Sequence, residues 1–212
     1  MQAHAAILTG DLIRSTRGPK DQTDAAMQVL AKIAQDIDDD TRFTRFRGDG
    51  WQIYLHNAGN CLWACLLIAA RLKASRIGLS TRISVGIGPV WHLPDRDLSA
   101  ASGLAFMASG RGLDDMPPTR TFAINGESVD RIQQSIFAFA ADRVSNWSFE
   151  QAEATAMALA HDMPSRAAIG TTLGITRQAV DARLAAAGYR LLEDAHLAFV
   201  ERYTQSMQKV DP

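Results

Sequence analysis

The segment Arg47-Gly48-Asp49-Gly50-Trp51 constrains this chain more than any other. Two glycines around an aspartate, set between the β-rich runs Thr41 to Phe46 and Trp51 to Leu55, form a tight hairpin signal. In the second run Trp51, Ile53 and Leu55 alternate with Gln52 and Tyr54, the pattern of a half-buried strand. An amphipathic stretch with Ala26, Val29, Leu30, Ile33 and Ile37 at helical spacing precedes the hairpin, and an apolar helix from Ala58 to Ala74 follows it.

An apolar strand, Ala3 to Thr9, opens the chain and ends at Gly10-Asp11, while Thr81 to Gly88 supplies a fourth strand. The order strand, helix, hairpin, helix, strand predicts an α/β (α+β) domain with the ferredoxin-like βαββαβ arrangement. In that arrangement strands one and three are antiparallel neighbours at the sheet centre. Asp11 and Asp49, distant in sequence, then converge on one edge of the sheet.

Beyond this unit a loop with His92 and Pro94 leads to a predicted helix from Ala100 to Leu113, a strand from Thr119 to Ile124 and a helix from Val129 to Val144. Asn146-Trp147-Ser148 offers a cap for a further helix through Glu153 to His161. The seam is therefore placed there, giving domains 1–145 and 146–212 that are closely joined.

Composition narrows the possibilities. With 47% hydrophobic and 21% charged residues and a net charge of −1, the chain reads as a globular protein without a long-range field toward nucleic acid or membrane. The longest apolar run, near Cys61 to Ala70, is far shorter than the roughly 20 residues that span a bilayer. No signal-peptide layout is present, so a cytoplasmic location is expected. Cys61 and Cys65, the only cysteines, read as buried free thiols. Asp38-Asp39-Asp40 reads as a solvated helix end rather than a metal cluster.

Asp11 and Asp49 are hard oxygen ligands suited to Mg2+ or Mn2+ when a nucleotide supplies phosphate oxygens. Gly10, Asp11 and Leu12, in a turn leaving the strand, would expose backbone N–H groups to such a phosphate. Arg14, Arg45 and Arg47 lie close in sequence to the two turns. The plainer alternative is that Gly-Asp-Gly only turns a hairpin and Gly10-Asp11 only ends a strand.

The pattern Phe46-Arg47-Gly48-Asp49-Gly50-Trp51, then Thr81 through Gly88, then Gly103 through Arg111, resembles the class III nucleotidyl cyclase domain. Within that superfamily it is more similar to the SatD-like branch, over roughly the first 125 residues. The resemblance implies a cyclase-like sandwich with metal aspartates at Asp11 and Asp49 and a transition-state arginine at Arg111. It also implies departures. Met107 stands where the ribose-binding asparagine would be, Ala100 where a base-reading aspartate would be, and Arg45 at the purine-reading lysine. Loss of one transition-state hydrogen bond typically costs about 2–4 kcal/mol of barrier. No residue is therefore assigned a catalytic role, and sensing of a nucleotide or cyclic dinucleotide is expected over turnover. An active or weakly active metal-dependent cyclase is the alternative.

A separate signal lies in Arg166 to Gly188. Arg166 to Leu173 and Arg177 to Ala187 form two short helices around Gly174-Ile175-Thr176, the layout of a helix-turn-helix. Ile169, Leu173, Ile175, Val180 and Leu184 read as buried, and Thr176 as the cap of the second helix. Thr176, Arg177, Gln178, Asp181 and Arg183 are left for the outer face, with Arg166 beside them, as a DNA-reading set. Arginines 166, 177, 183 and 190 against Asp181 give this window a local charge of +3. The alternative is a protein-docking or dimerisation unit. Leu191 to Tyr203 reads as a packing or dimer helix, and His161 and His196 as surface or packing residues. The combined expectation is a homodimeric transcriptional regulator with a nucleotide-sensing domain and no membrane partner.

Overall fold

The computed structural model describes residues 4–13, 20–46 and 48–210. Strand β1 (His4–Ile13) lies at the centre of a six-stranded, mainly antiparallel sheet. It pairs with β3 (Gly50–Leu55) on one side and β4 (Ser80–His92) on the other. β2 (Arg42–Phe46) extends the sheet beyond β3, so the order is β2-β3-β1-β4. β5 (Ser102–Gly103) and β6 (Phe122–Asn125) both pair with β4, the latter in parallel.

Alternation along β1 divides the core into two layers. Ala6, Leu8 and Leu12 face α1 (Lys20–Ile37) and α2 (Cys61–Ala74), within a cluster that includes Leu30, Ile33, Leu62 and Leu66. Ala5 and Ile7 face the other way, toward Ala105 of α3 (Leu104–Asp114). That helix lies almost on the sheet. A Cβ on Gly86 would collide with the Ala105 carbonyl, and one on Gly112 with the Asn125 side chain.

Five further helices complete the eight α-helices of the described residues: α4 (Arg131–Ser145), α5 (Phe149–Ala158), α6 (Arg166–Leu173), α7 (Arg177–Ala187) and α8 (Tyr189–Val210). Capping boxes at Asp130/Gln133 and Ser148/Gln151 start α4 and α5. The second cap starts α5 at Phe149 and the helix ends at Ala158, leaving His161 beyond it. The expected seam at 146 marks no break in packing. One apolar cluster runs from the sheet layer through Phe137, Trp147 and Ala152 to Ile169, Val180 and Phe199. One indole N–H ties the parts together, Trp63 donating to the Leu159 carbonyl at 3.2 Å, while within the second part Trp147 donates to that of Ala187 at 2.9 Å.

Candidate functional site

The antiparallel register brings the two sheet-edge aspartates together. Asp11 is opposite Gly50 on β3, and the Leu12 N–H donates to the Asp49 carbonyl at 3.2 Å. On its other side Asp11 is opposite Arg82. Residues directly opposed on antiparallel strands project to the same face, and here they form a two-pronged ion pair. Arg82 Nε donates to Asp11 Oδ1 at 2.9 Å, and Nη2 donates to Oδ2. The two side chains are only 27% and 31% exposed, and the Asp11 carboxylate raises the pKa of Arg82.

A buried bracket stands behind this pair. The Thr81 hydroxyl donates to the Asp11 carbonyl at 2.7 Å and accepts from Trp51 Nε1 at 3.0 Å. Trp51 is fully buried, and its ring lies where a Cβ on Gly10 would be. Gly10 is thus required by close packing of an indole against the strand.

Several expectations change as a result. Gly10, Asp11 and Leu12 do not form an exit turn, because β1 continues in register to Ile13 opposite Ser80. The Leu12 N–H is bonded to Asp49 and its side chain is buried, so Gly10 and Leu12 belong to the sheet and offer no phosphate cradle. Arg45 spans the hairpin: its Nε donates to the Gly48 carbonyl and its Nη1 to Asp24 Oδ1 of α1, each at 2.7 Å. Arg14 and Arg47 lie outside the described residues. Arg111 is exposed on α3 and lines a cleft of about 490 Å³ together with Met107, and that cleft includes neither Asp11 nor Asp49.

The donor set at the sheet edge does not fit a divalent metal as it is arranged. Both oxygens of Asp11 accept from Arg82. Among the described residues no group of three His, Cys, Asp or Glu side chains is placed to share an ion. A metal would first have to displace a guanidinium from a two-pronged contact. Arg82 and Thr81 carry this site and were missed in the sequence reading. The register of β1 against β4, once assumed, would have put Arg82 opposite Asp11.

The helix pair is built differently. Gly174 adopts the left-handed conformation (φ 66°) that the turn between α6 and α7 needs, and a Cβ on Gly170 would sit 2.8 Å from the Ile175 carbonyl oxygen. The Thr176 hydroxyl accepts from the Ala179 N–H at 3.1 Å, capping α7. Gly188 ends that helix, again left-handed. Ile169, Val180 and Leu184 are buried, holding α6 and α7 against the body.

Arg177 and Gln178, in the first turn of α7, are exposed. The Arg177 side chain is 70% exposed, with Asp181 3.7 Å away. Arg183 is not on that outer face. Its Nη1 reaches back 3.0 Å to Glu153 of α5, because position 183 lies beside the buried stripe of Val180 and Leu184. Arg166 lies over the Tyr189 ring at 4.9 Å, on the flank of the pair. The groups left presented together are Thr176, Arg177, Gln178 and Asp181.

The remaining candidates behave as packing or solvent groups. Cys61 and Cys65 are buried free thiols, with pKa values pushed up by burial. Asp38 caps its own turn through the Asp40 N–H. His196 packs against Trp63 with ring centroids 5.2 Å apart. No described helix is long and apolar enough to cross a membrane. No protein-family model matches the chain, and no curated protein matches it.

Proposed function

We propose that this chain is a DNA-binding regulator in which α6 and α7 act as a helix-turn-helix. The observation that carries the reading is the first turn of α7. Its cap is satisfied by Thr176, its inner face is locked into the core, and Arg177 and Gln178 project into solvent. Arginine and glutamine in that position suit bidentate contacts to guanine and adenine edges in the major groove. One short recognition helix gives limited affinity, so a homodimer reading two half-sites about 34 Å apart completes the proposal.

The sheet domain is proposed to sense a nucleotide-type ligand. The strand order β2-β3-β1-β4 is that expected for the ferredoxin-like, cyclase-like arrangement, which supports this reading. The two-pronged bond between Asp11 and Arg82 weighs against metal-dependent turnover. The cyclase alternative requires product from a nucleoside triphosphate with Mn2+, lost in Asp49→Asn.

The test of the DNA reading is selection of bound duplexes from a random pool by the full chain, followed by fluorescence anisotropy. An enriched sequence is expected, with salt-dependent binding. Arg177→Ala/Gln178→Ala is expected to weaken that sequence by about 100-fold or more, at about 1–3 kcal/mol per bidentate contact. No enrichment, or enrichment unaffected by the double substitution, refutes the reading.

A further inference from the structure

A cleft larger than the one beside Arg111 and Met107 borders the sheet edge at Thr81 but is lined by neither Asp11 nor Asp49. It lies between the end of α2, the starts of β4 and β6, the end of α4 and the start of α5, and encloses about 630 Å³. That volume is within the usual range for small-molecule sites, about 300–1,000 Å³. Its inner wall is apolar, made by Leu72, Leu79, Phe122 and Val144, all buried. Its mouth carries two cations, Lys73 and Arg76. Among the described residues Lys73 makes no ion pair.

Arg76 is unusual in its backbone as well. It follows the end of α2 with φ 57°, a left-handed position that glycine or asparagine would hold at less cost. The guanidinium is laid over the Phe149 ring, 3.6 Å from its centroid, at the cleft wall. Glu150, the one acid of the lining, has its own demands on it. Its carboxyl is held below the usual range by its own backbone N–H, then by the Ser148 hydroxyl and the charges of Arg183 and Arg76. An apolar wall with cations at its rim suits a ligand with an apolar body and an anionic head.

We infer that this cleft is a binding site for an amphipathic organic anion, an aromatic or aliphatic carboxylate or sulfonate. The apolar body would lie against Leu72, Leu79, Phe122 and Val144, and the acid group between Lys73 and Arg76. The site meets the sheet edge at Thr81, includes no residue of α7, and stands whether or not α7 reads DNA. One wall is the first turn of α5, the helix whose Glu153 holds Arg183 of α7.

The test is titration of the full chain with anilinonaphthalene sulfonate, followed by displacement with decanoate, with no DNA in the assay. One saturable site, displaced by decanoate, is expected. Lys73→Gln/Arg76→Asn should weaken it about tenfold or more, since the acid group then loses both charged partners. Asparagine suits the left-handed position, so the backbone is kept. Ser145→Trp fills the mouth from an exposed position and should abolish binding with the melting temperature unchanged within about 2 °C. Binding that never saturates, that survives both variants, or that Ser145→Trp blocks while loss of the two cations leaves it intact, overturns the anion site. Failure here leaves the DNA reading where the selection experiment puts it.

Discussion

The sheet edge and the first turn of α7 use the same residue types to opposite ends. At the sheet edge Asp11 and Arg82 close on each other in a contact only about one-third exposed at most, at 31% and 27%, and Arg45 is bonded to Gly48 and Asp24. At α7 the backbone demand is met by Thr176, and Arg177 remains 70% exposed. Charged residues beside local turn signals are therefore not equivalent. What separates them is whether a neighbouring element presents a partner at the opposed position, as β4 does for β1 and as nothing does beyond α7 among the described residues.

The largest effect tests the structural side of this contrast. Trp51→Ala removes a fully buried indole from over Gly10 and leaves Thr81 without its donor. A loss of about 3–5 kcal/mol in urea unfolding is expected. A loss below about 1 kcal/mol would mean that the bracket behind Asp11 is not what shapes this edge.

Asp11→Asn separates ion pair from metal site by sign. As the partner of a partly buried Arg82, Asp11 should cost about 1–2 kcal/mol when neutralised. A double-mutant cycle with Arg82→Met should recover a coupling of about 1 kcal/mol. If Asp11 were instead held beside Asp49 for a cation, neutralising it would relieve repulsion and leave stability unchanged or raised. That outcome breaks the comparison.

How far these two regions were legible in the sequence follows from how local their chemistry is. The limits of α6 and α7, the cap at Thr176 and the left-handed Gly174 and Gly188 depend on neighbours a few residues away, and all were readable. The convergence of Asp11 with Asp49 was readable too, through the order of strands. The partners of the charged groups were not. Arg82 meets Asp11 across 71 residues and Arg183 meets Glu153 across 30, and neither distance leaves a periodic mark. The extension of β1 past Gly10 was hidden for a related reason. Glycine before aspartate is a turn signal locally, whereas here the glycine answers to a tryptophan on the next strand.

At α7 the contrast sharpens into a pair of arginines. Thr176→Ala should cost about 1 kcal/mol by removing the cap that accepts the Ala179 N–H, and should weaken DNA binding with it. Arg183→Ala should cost about 0.5–1 kcal/mol through the pair with Glu153 while leaving sequence preference in place. Arg177→Ala should do the reverse, sparing the melting temperature and relaxing the preference. Equal loss of sequence preference from both arginines would place Arg183 on the outer face after all.

The smallest effect is at the join between the two regions, where His196 of α8 packs on Trp63 of α2. The imidazole Nδ1 is buried without a hydrogen-bond partner, and burial lowers its pKa below the ordinary 6.5. Burial therefore favours the neutral ring in the folded chain, while the unfolded chain binds a proton more readily. The unfolded state gains protons first as pH falls, so stability is full above the unfolded value and declines as pH drops toward the folded one. Unfolding measured at about pH 7.5 and about pH 5.5 should show the wild-type chain losing more stability than His196→Phe, whose ring can still stack on Trp63. Paired carboxylates such as Asp36 and Asp130 have lowered values and titrate below this window, so they do not blur the difference. An identical pH response in the two chains would mean that the ring is solvated and that the join between sheet and helices is looser than its packing implies.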